Sequence, residues 1–101
     1  MSTPHIVVYA AHKPFRAACD ALLRAAGVRV RVASRQAELA KAIAEGIIAV
    51  IIAGDDPADV AVARTLTATS ATALPVMQRA PGESIEELVA RALAVAITVA
   101  N

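Results

Sequence analysis

Apolar positions recur along this chain in two alternating spacings, a continuous run of strand length and then a stripe at helical spacing, four times over. Ile6–Ala10 is the first run, which suits a parallel strand buried on both faces. Pro14 follows where a first helical turn tolerates proline, and Phe15, Cys19, Leu22 and Ala26 then fall on one helical face, with Gly27 as the stop. Val28–Val32 alternates strictly, with Val28, Val30 and Val32 on one side and Arg29 and Arg31 on the other, the mark of a half-exposed edge strand. Ser34 is placed to cap a second helix that carries Leu39, Ala40, Ile43 and Ala44 inward and ends at Gly46. Ile47–Ala53 is the most apolar run and the candidate central strand.

Asp56 and Pro57 read as N-cap and first position of a third helix, with Asp59 in its dipole-favoured first turn. Its anchors, Val62 and Leu66, are few, and it decays into the Ala, Thr and Ser of 67–72. Leu74–Gln78 is a short last strand. Ser84 and Glu87 form a capping box for a final helix that buries Ile85, Leu88, Val89, Ala92, Leu93 and Ala96. Strand–helix alternation with short links implies parallel strands joined by right-handed crossovers. Edge character in the second strand and burial in the first and third give the order 2-1-3-4. The expected fold is therefore α/β: a flavodoxin-like three-layer sandwich, a four-stranded parallel sheet with helices on both faces, forming one domain over 1–101. Ligands of such folds sit at the carboxyl ends of strands one and three.

Composition narrows the function more than the fold. The chain is 57% hydrophobic but only 2% aromatic, so its core is aliphatic and alanine-rich. The net charge of +1, without a basic stripe or interleaved aromatics, argues against nucleic acid as a partner. A single cysteine, Cys19, rules out an intrachain disulfide and makes a thiolate metal site unexpected. With no apolar run of membrane-spanning length and no leader visible at Met1–His5, a cytoplasmic setting is expected.

Three segments carry a resemblance to response-regulator receiver domains. Ile6-Val7-Val8-Tyr9-Ala10-Ala11-His12-Lys13-Pro14-Phe15-Arg16 resembles the receiver's first strand, acidic pair and helix start, with the acids falling on Ala10 and Ala11. The third strand is similar to the phosphorylation strand. Receivers place a proline four residues after the phospho-accepting aspartate, and counting back from Pro57 reaches Ala53. Pro75-Val76-Met77-Gln78-Arg79-Ala80-Pro81, with Glu86-Glu87-Leu88, resembles the last strand and helix, where a lysine precedes a proline; here Ala80 does. Receivers have five strand–helix units; this chain shows four, the missing one being the fourth, between Leu66 and Leu74.

The resemblance implies a degenerate receiver, or pseudo-receiver, of two-component signalling, within a hybrid histidine kinase or standing alone. Phosphoryl transfer to a carboxylate needs the carboxylate, a divalent cation and oxygen ligands. Alanine at 10, 11, 53 and 80 supplies none, so an apolar pocket is expected where the metal would sit, with no catalytic residue, metal or cofactor.

Other candidates weigh less. Asp55, Asp56 and Asp59 are the only acids near the strand ends; capping explains Asp56, and solvated charge accounts for the others. Asp55 as a shifted phospho-acceptor stays open at this stage. His12 has no partner in sequence, His5 is incidental, and Cys19 lies on an apolar stripe. Arg64, Gln78 and Arg79 lie beside the place of the missing unit, where arginines grip phosphates and glutamine a purine edge. Arg31 and Arg35 show a further, weaker arginine spacing. Two functions follow: a non-enzymatic regulatory module that docks on a protein partner or neighbouring kinase domain through its last strand and helix, or a module that binds cyclic di-GMP at Arg64, Gln78 and Arg79.

Overall fold

The structure is a computed structural model that describes residues 5–46, 48–69 and 74–100. The elements run β1 (His5–Tyr9), α1 (Lys13–Ala25), β2 (Arg29–Ala33), α2 (Gln36–Glu45), β3 (Ile48–Ala53), α3 (Pro57–Ala68), β4 (Val76–Met77) and α4 (Ile85–Ala100). The sheet is parallel throughout with order β2-β1-β3-β4, as the patterning predicts. Hydrophobic β1 and β3 lie at its centre: Ile6, Val7 and Val8 and then Val50, Ile51, Ile52 and Ala53 have no exposed surface.

Chain direction dictates the layers. The step from β1 to β2 runs one way across the sheet, and those from β2 to β3 and β3 to β4 run the other way. Right-handed crossovers therefore put α1 on one face and α2 and α3 on the opposite one. α4 packs back against α1 and β3. Two cores result. Phe15, Cys19 and Leu23 of α1 meet Leu88, Val89, Ala92 and Ala96 of α4 over one face. On the other, Leu39 and Ala42 of α2 and Ala63 of α3 cover Val7, Tyr9 and Ile51.

The structure shifts several details. β2 begins at Arg29 and Val32 is 36% exposed, because an edge strand has no neighbour to shield its last turn of side chains. Arg31 pairs instead with Glu45 of α2. In α1, Leu23 is fully buried, while Leu22 is half-buried and Ala26 exposed at the helix end. In α2 the inward residues are Leu39 and Ala42; Ala40 and Ile43 lie at the flank and Ala44 faces out. Ser34 does not cap α2. Arg35 holds the cap position, and Glu38 reaches back to accept from the backbone N–H groups of Ser34 and Arg35 and from the Ser34 hydroxyl, each at 3.1 Å. In α3 the buried anchors are Val60 and Ala63, with Val62 and Leu66 only partly covered.

β4 is two residues long, shorter than Leu74–Gln78 suggests, and this brevity protects an edge strand from pairing with other chains. The Ser84–Glu87 capping box forms as expected: Glu87 N–H donates to Ser84 Oγ at 3.1 Å and Ser84 N–H to Glu87 Oε1 at 3.2 Å. Residues 70–72 of the Ala, Thr and Ser stretch and Ile47 lie outside the described residues. Among those described, no helix is long and apolar enough to cross a membrane.

Candidate functional site

Three loops meet at the carboxyl end of the sheet: 10–12 after β1, 54–56 after β3 and 78–84 after β4. Main-chain bonds fix the first two. Gly54 N–H donates to Tyr9 O at 2.9 Å and Ala10 N–H to Ala33 O at 3.3 Å, extending the ladder past the strands. Arg16, one turn into α1, turns its guanidinium back onto the loop and donates through Nη1 to Ala10 O at 2.7 Å and Ala11 O at 2.9 Å. Two carbonyls at the end of β1 are thereby held by a cation of the chain itself.

Of the four receiver-aligned alanines, Ala10 and Ala53 are packed shut, whereas Ala11 and Ala80 are exposed and border hollows. Ala10 and Ala53 have no exposed surface, so their methyls lie inside the sandwich and not on the wall of an opening. The hollow that does exist between the first two loops, about 350 Å³, is lined by Ala11, His12, Phe15, Asp55, Asp56 and Asp59. The expected apolar pocket is thus corrected to an acidic one: carboxylates come not from the strand ends but from the start of α3.

Asp59 is the largest departure from the sequence reading, which left it solvated. It is only 6% exposed, because the first turn of α3 leans over the end of β1. Its Oδ2 accepts from Ala11 N–H at 3.4 Å. Gly54 makes room for it: a Cβ there would stand 2.4 Å from Asp59 Oδ2 and 2.7 Å from Ala10 Cβ. A residue without a side chain directly after the central strand is the signal in the sequence that something packs there. Tyr9, beneath this point, has its hydroxyl pKa raised, first by burial and then by the Asp59 charge.

Asp56 caps α3 as expected, accepting from Ala58 N–H at 2.9 Å. Asp55 is committed differently. Arg79 grips its carboxylate with both ends of the guanidinium, Nε to Oδ1 at 3.2 Å and Nη2 to Oδ2 at 2.5 Å. The guanidinium carbon also lies 6.0 Å from the centroid of the Phe15 ring. This clamp ties the loop after β3 to the loop after β4. A second clamp stiffens the latter: Arg91 donates to both oxygens of Glu83 and to Gln78 O at 2.9 Å. Glu83, which also accepts from Ala80 N–H, is held below the usual carboxylate range, chiefly by the Arg91 hydrogen bond. The turn itself is Pro81-Gly82, with Gly82 at φ 81, a left-handed conformation that glycine adopts without strain.

The ligand candidates do not assemble. Arg79 faces a hollow of about 510 Å³ shared with Asp55 and residues 80–84. Arg64 lies on α3 beside a different one, about 330 Å³, formed with Thr67, Ala68, Leu74 and Val76. Gln78 enters through its backbone carbonyl, which receives Arg91. His12 lines the first hollow. Cys19 is fully buried beneath Phe15 and Leu23, and burial pushes its thiol up to about 11, offsetting the opposing pull of Arg79. Among the described residues no three His, Cys, Asp or Glu side chains converge as metal ligands.

The architecture defines the class: an α/β sandwich of flavodoxin-like strand order whose loops gather at the carboxyl edge. Compared with protein-family models, curated proteins and solved structures, the chain finds no match. The likeness to receivers therefore rests on the chain's own residues.

Proposed function

We propose that this domain is a non-phosphorylatable pseudo-receiver, a regulatory protein-interaction module of two-component type that performs no reaction of its own. One observation carries the reading. At the ends of β1 and β3, where a receiver assembles its acids, Ala10 and Ala53 are wholly buried methyls. The nearest carboxylates have other partners: Asp55 is held by Arg79, Asp56 caps α3, and Asp59 is buried against Ala11. A carboxylate with both oxygens already bonded to an arginine is a weaker nucleophile. The loop after β4 is tied to its surroundings by the two arginine ion pairs, and it leads into α4, which suits a docking face built from the last strand and helix.

Cyclic di-GMP binding draws less support, since Arg64 and Arg79 border separate hollows and Arg79 is already engaged. Incubation with acetyl phosphate and Mg²⁺ tests the reading by intact mass spectrometry. The expected mass is unchanged; a stable acyl phosphate on Asp55 or Asp59 overturns the proposal.

A further inference from the structure

β2 is an outer strand of the sheet, and its five residues pair only with β1, in unbroken register. β4, the other edge, is two residues long, so β2 is the edge that offers a strand-length template. Successive residues of a strand turn their N–H and C=O to opposite sides. Ala33 O accepts from Ala10 N–H, which fixes Arg29, Arg31 and Ala33 as the residues facing β1. Val30 and Val32 therefore turn their N–H and C=O outward, with no strand beyond them among the described residues. The two faces of this edge differ in chemistry. Val30 packs on the α1 side, and Val32 is 36% exposed. Arg29 and Arg31 alternate with them on the α2 side, where Arg31, Val32, Glu38, Lys41 and Glu45 line a hollow of about 310 Å³. Positive charge is in excess there. Glu45 pairs with Arg31, and Glu38 is held below the usual carboxylate range, chiefly by the Ser34 N–H. Arg29 and Lys41 are exposed and form no ion pair among the described residues.

We propose that the β2 edge takes up an extended segment of a partner protein in which acidic and apolar residues alternate. The added strand bonds to the outward N–H and C=O groups of Val30 and Val32, and these main-chain bonds supply affinity. Residues directly opposite on paired strands point to the same face. The apolar side chains of the segment therefore lie beside Val30 and Val32, and its carboxylates lie beside Arg29, Arg31 and Lys41. A second copy of this chain does not fit. Antiparallel pairing of two β2 strands, centred on Val30, Arg31 or Val32, sets Arg29 opposite Arg31, Arg31 opposite itself, or Arg29 opposite Arg35. Like charges directly opposite destabilise a strand pair. This surface lies at the sheet edge away from β4 and stands whether or not the regulatory reading does.

An NMR titration with a synthetic peptide of strictly alternating valine and glutamate is the test. Saturable shifts are expected at the amides of Val30 and Val32, whose hydrogen exchange should slow as they gain carbonyl partners. A peptide of the same composition, with its valines and glutamates in two blocks, should bind at least about tenfold more weakly. Val32→Pro removes one outward N–H and no bond to β1, at a place where an edge strand tolerates proline. It should weaken binding of the alternating peptide by a similar factor, with an unchanged circular dichroism spectrum. Arg29→Glu/Lys41→Glu, at two exposed positions, should weaken it too and take up an alternating valine–lysine peptide instead; if Val32→Pro unfolds, this charge reversal still decides. The proposal is overturned if the alternating peptide leaves Val30 and Val32 in place at millimolar concentration, or if the block peptide or a single-stranded RNA binds as well. Concentration-dependent shifts at the same amides without peptide also overturn it, since a second copy is then the occupant.

Discussion

Gly54→Ala should lose about 2–3 kcal/mol of folding stability, a large effect for the addition of one methyl group. The added carbon would meet Asp59 Oδ2 at 2.4 Å, Ala10 Cβ at 2.7 Å and Ala10 Cα at 3.2 Å. Asp59 can swing only by surrendering its place over Ala11. Ala10 cannot yield at all without moving the end of β1, because it is fully buried and its N–H is bound to Ala33 O. Gly54 does not have a positive φ, so the loss is one of space and not of backbone strain. Urea unfolding measures it directly. A companion Gly54→Ala/Asp59→Ala variant should recover part of the loss, since one of the two obstructions is gone. Equal stability of Gly54→Ala and wild type would mean that the carboxylate does not pack there.

Leu88→Ala should cost about 3 kcal/mol, measured as a lowered urea midpoint with unchanged slope. Leu88 is fully buried where α4 meets α1 and the sheet. Alanine is the better helix former, so the helix itself loses nothing and the whole effect is lost packing. The consequence is severe because the core has few large side chains to share the load. A domain of 101 residues holds roughly 5–15 kcal/mol in all, and alanines at 10, 33, 42, 49, 53, 63, 92 and 96 fill core positions that bury little area each.

The fold was legible because the spacing of apolar residues switches cleanly between strand and helix, and because Gly27, Gly46, Asp56 and Ser84 mark helix ends by local chemistry. Those residues act on backbone groups within a few positions, so no tertiary knowledge is needed. The strand order followed from which runs were wholly apolar. Exposure within helices was less legible. Which of Leu22 and Leu23 turns inward depends on how α1 is rotated against α4, and the apolar stripe is too broad to decide it.

The site was legible in place but not in chemistry. The alanines at 10 and 53 were identified, but they were expected around an apolar pocket and are instead fully buried. The Asp55–Arg79 clamp was not, because its partners are 24 residues apart and meet through sheet register. Ile51 pairs with Val76, so the chain ends up level a few residues later at Asp55 and Arg79. Asp59 was misjudged for a related reason. A first-turn aspartate satisfies the helix dipole whether it faces water or the protein interior, and only the lean of α3 over β1 decides which.

The central claim is the one proposed above: Asp55, Asp56 and Asp59, although they border a hollow at the carboxyl end of the sheet, take up neither metal nor a phosphoryl group. An NMR titration with Mg²⁺ followed by beryllofluoride examines it residue by residue. At millimolar Mg²⁺ the amides of Ala11, Gly54, Asp55 and Arg79 should stay in place, and beryllofluoride should add nothing. Saturable shifts centred on Asp55 or Asp59, abolished by the matching Asp→Asn substitution, would contradict the account.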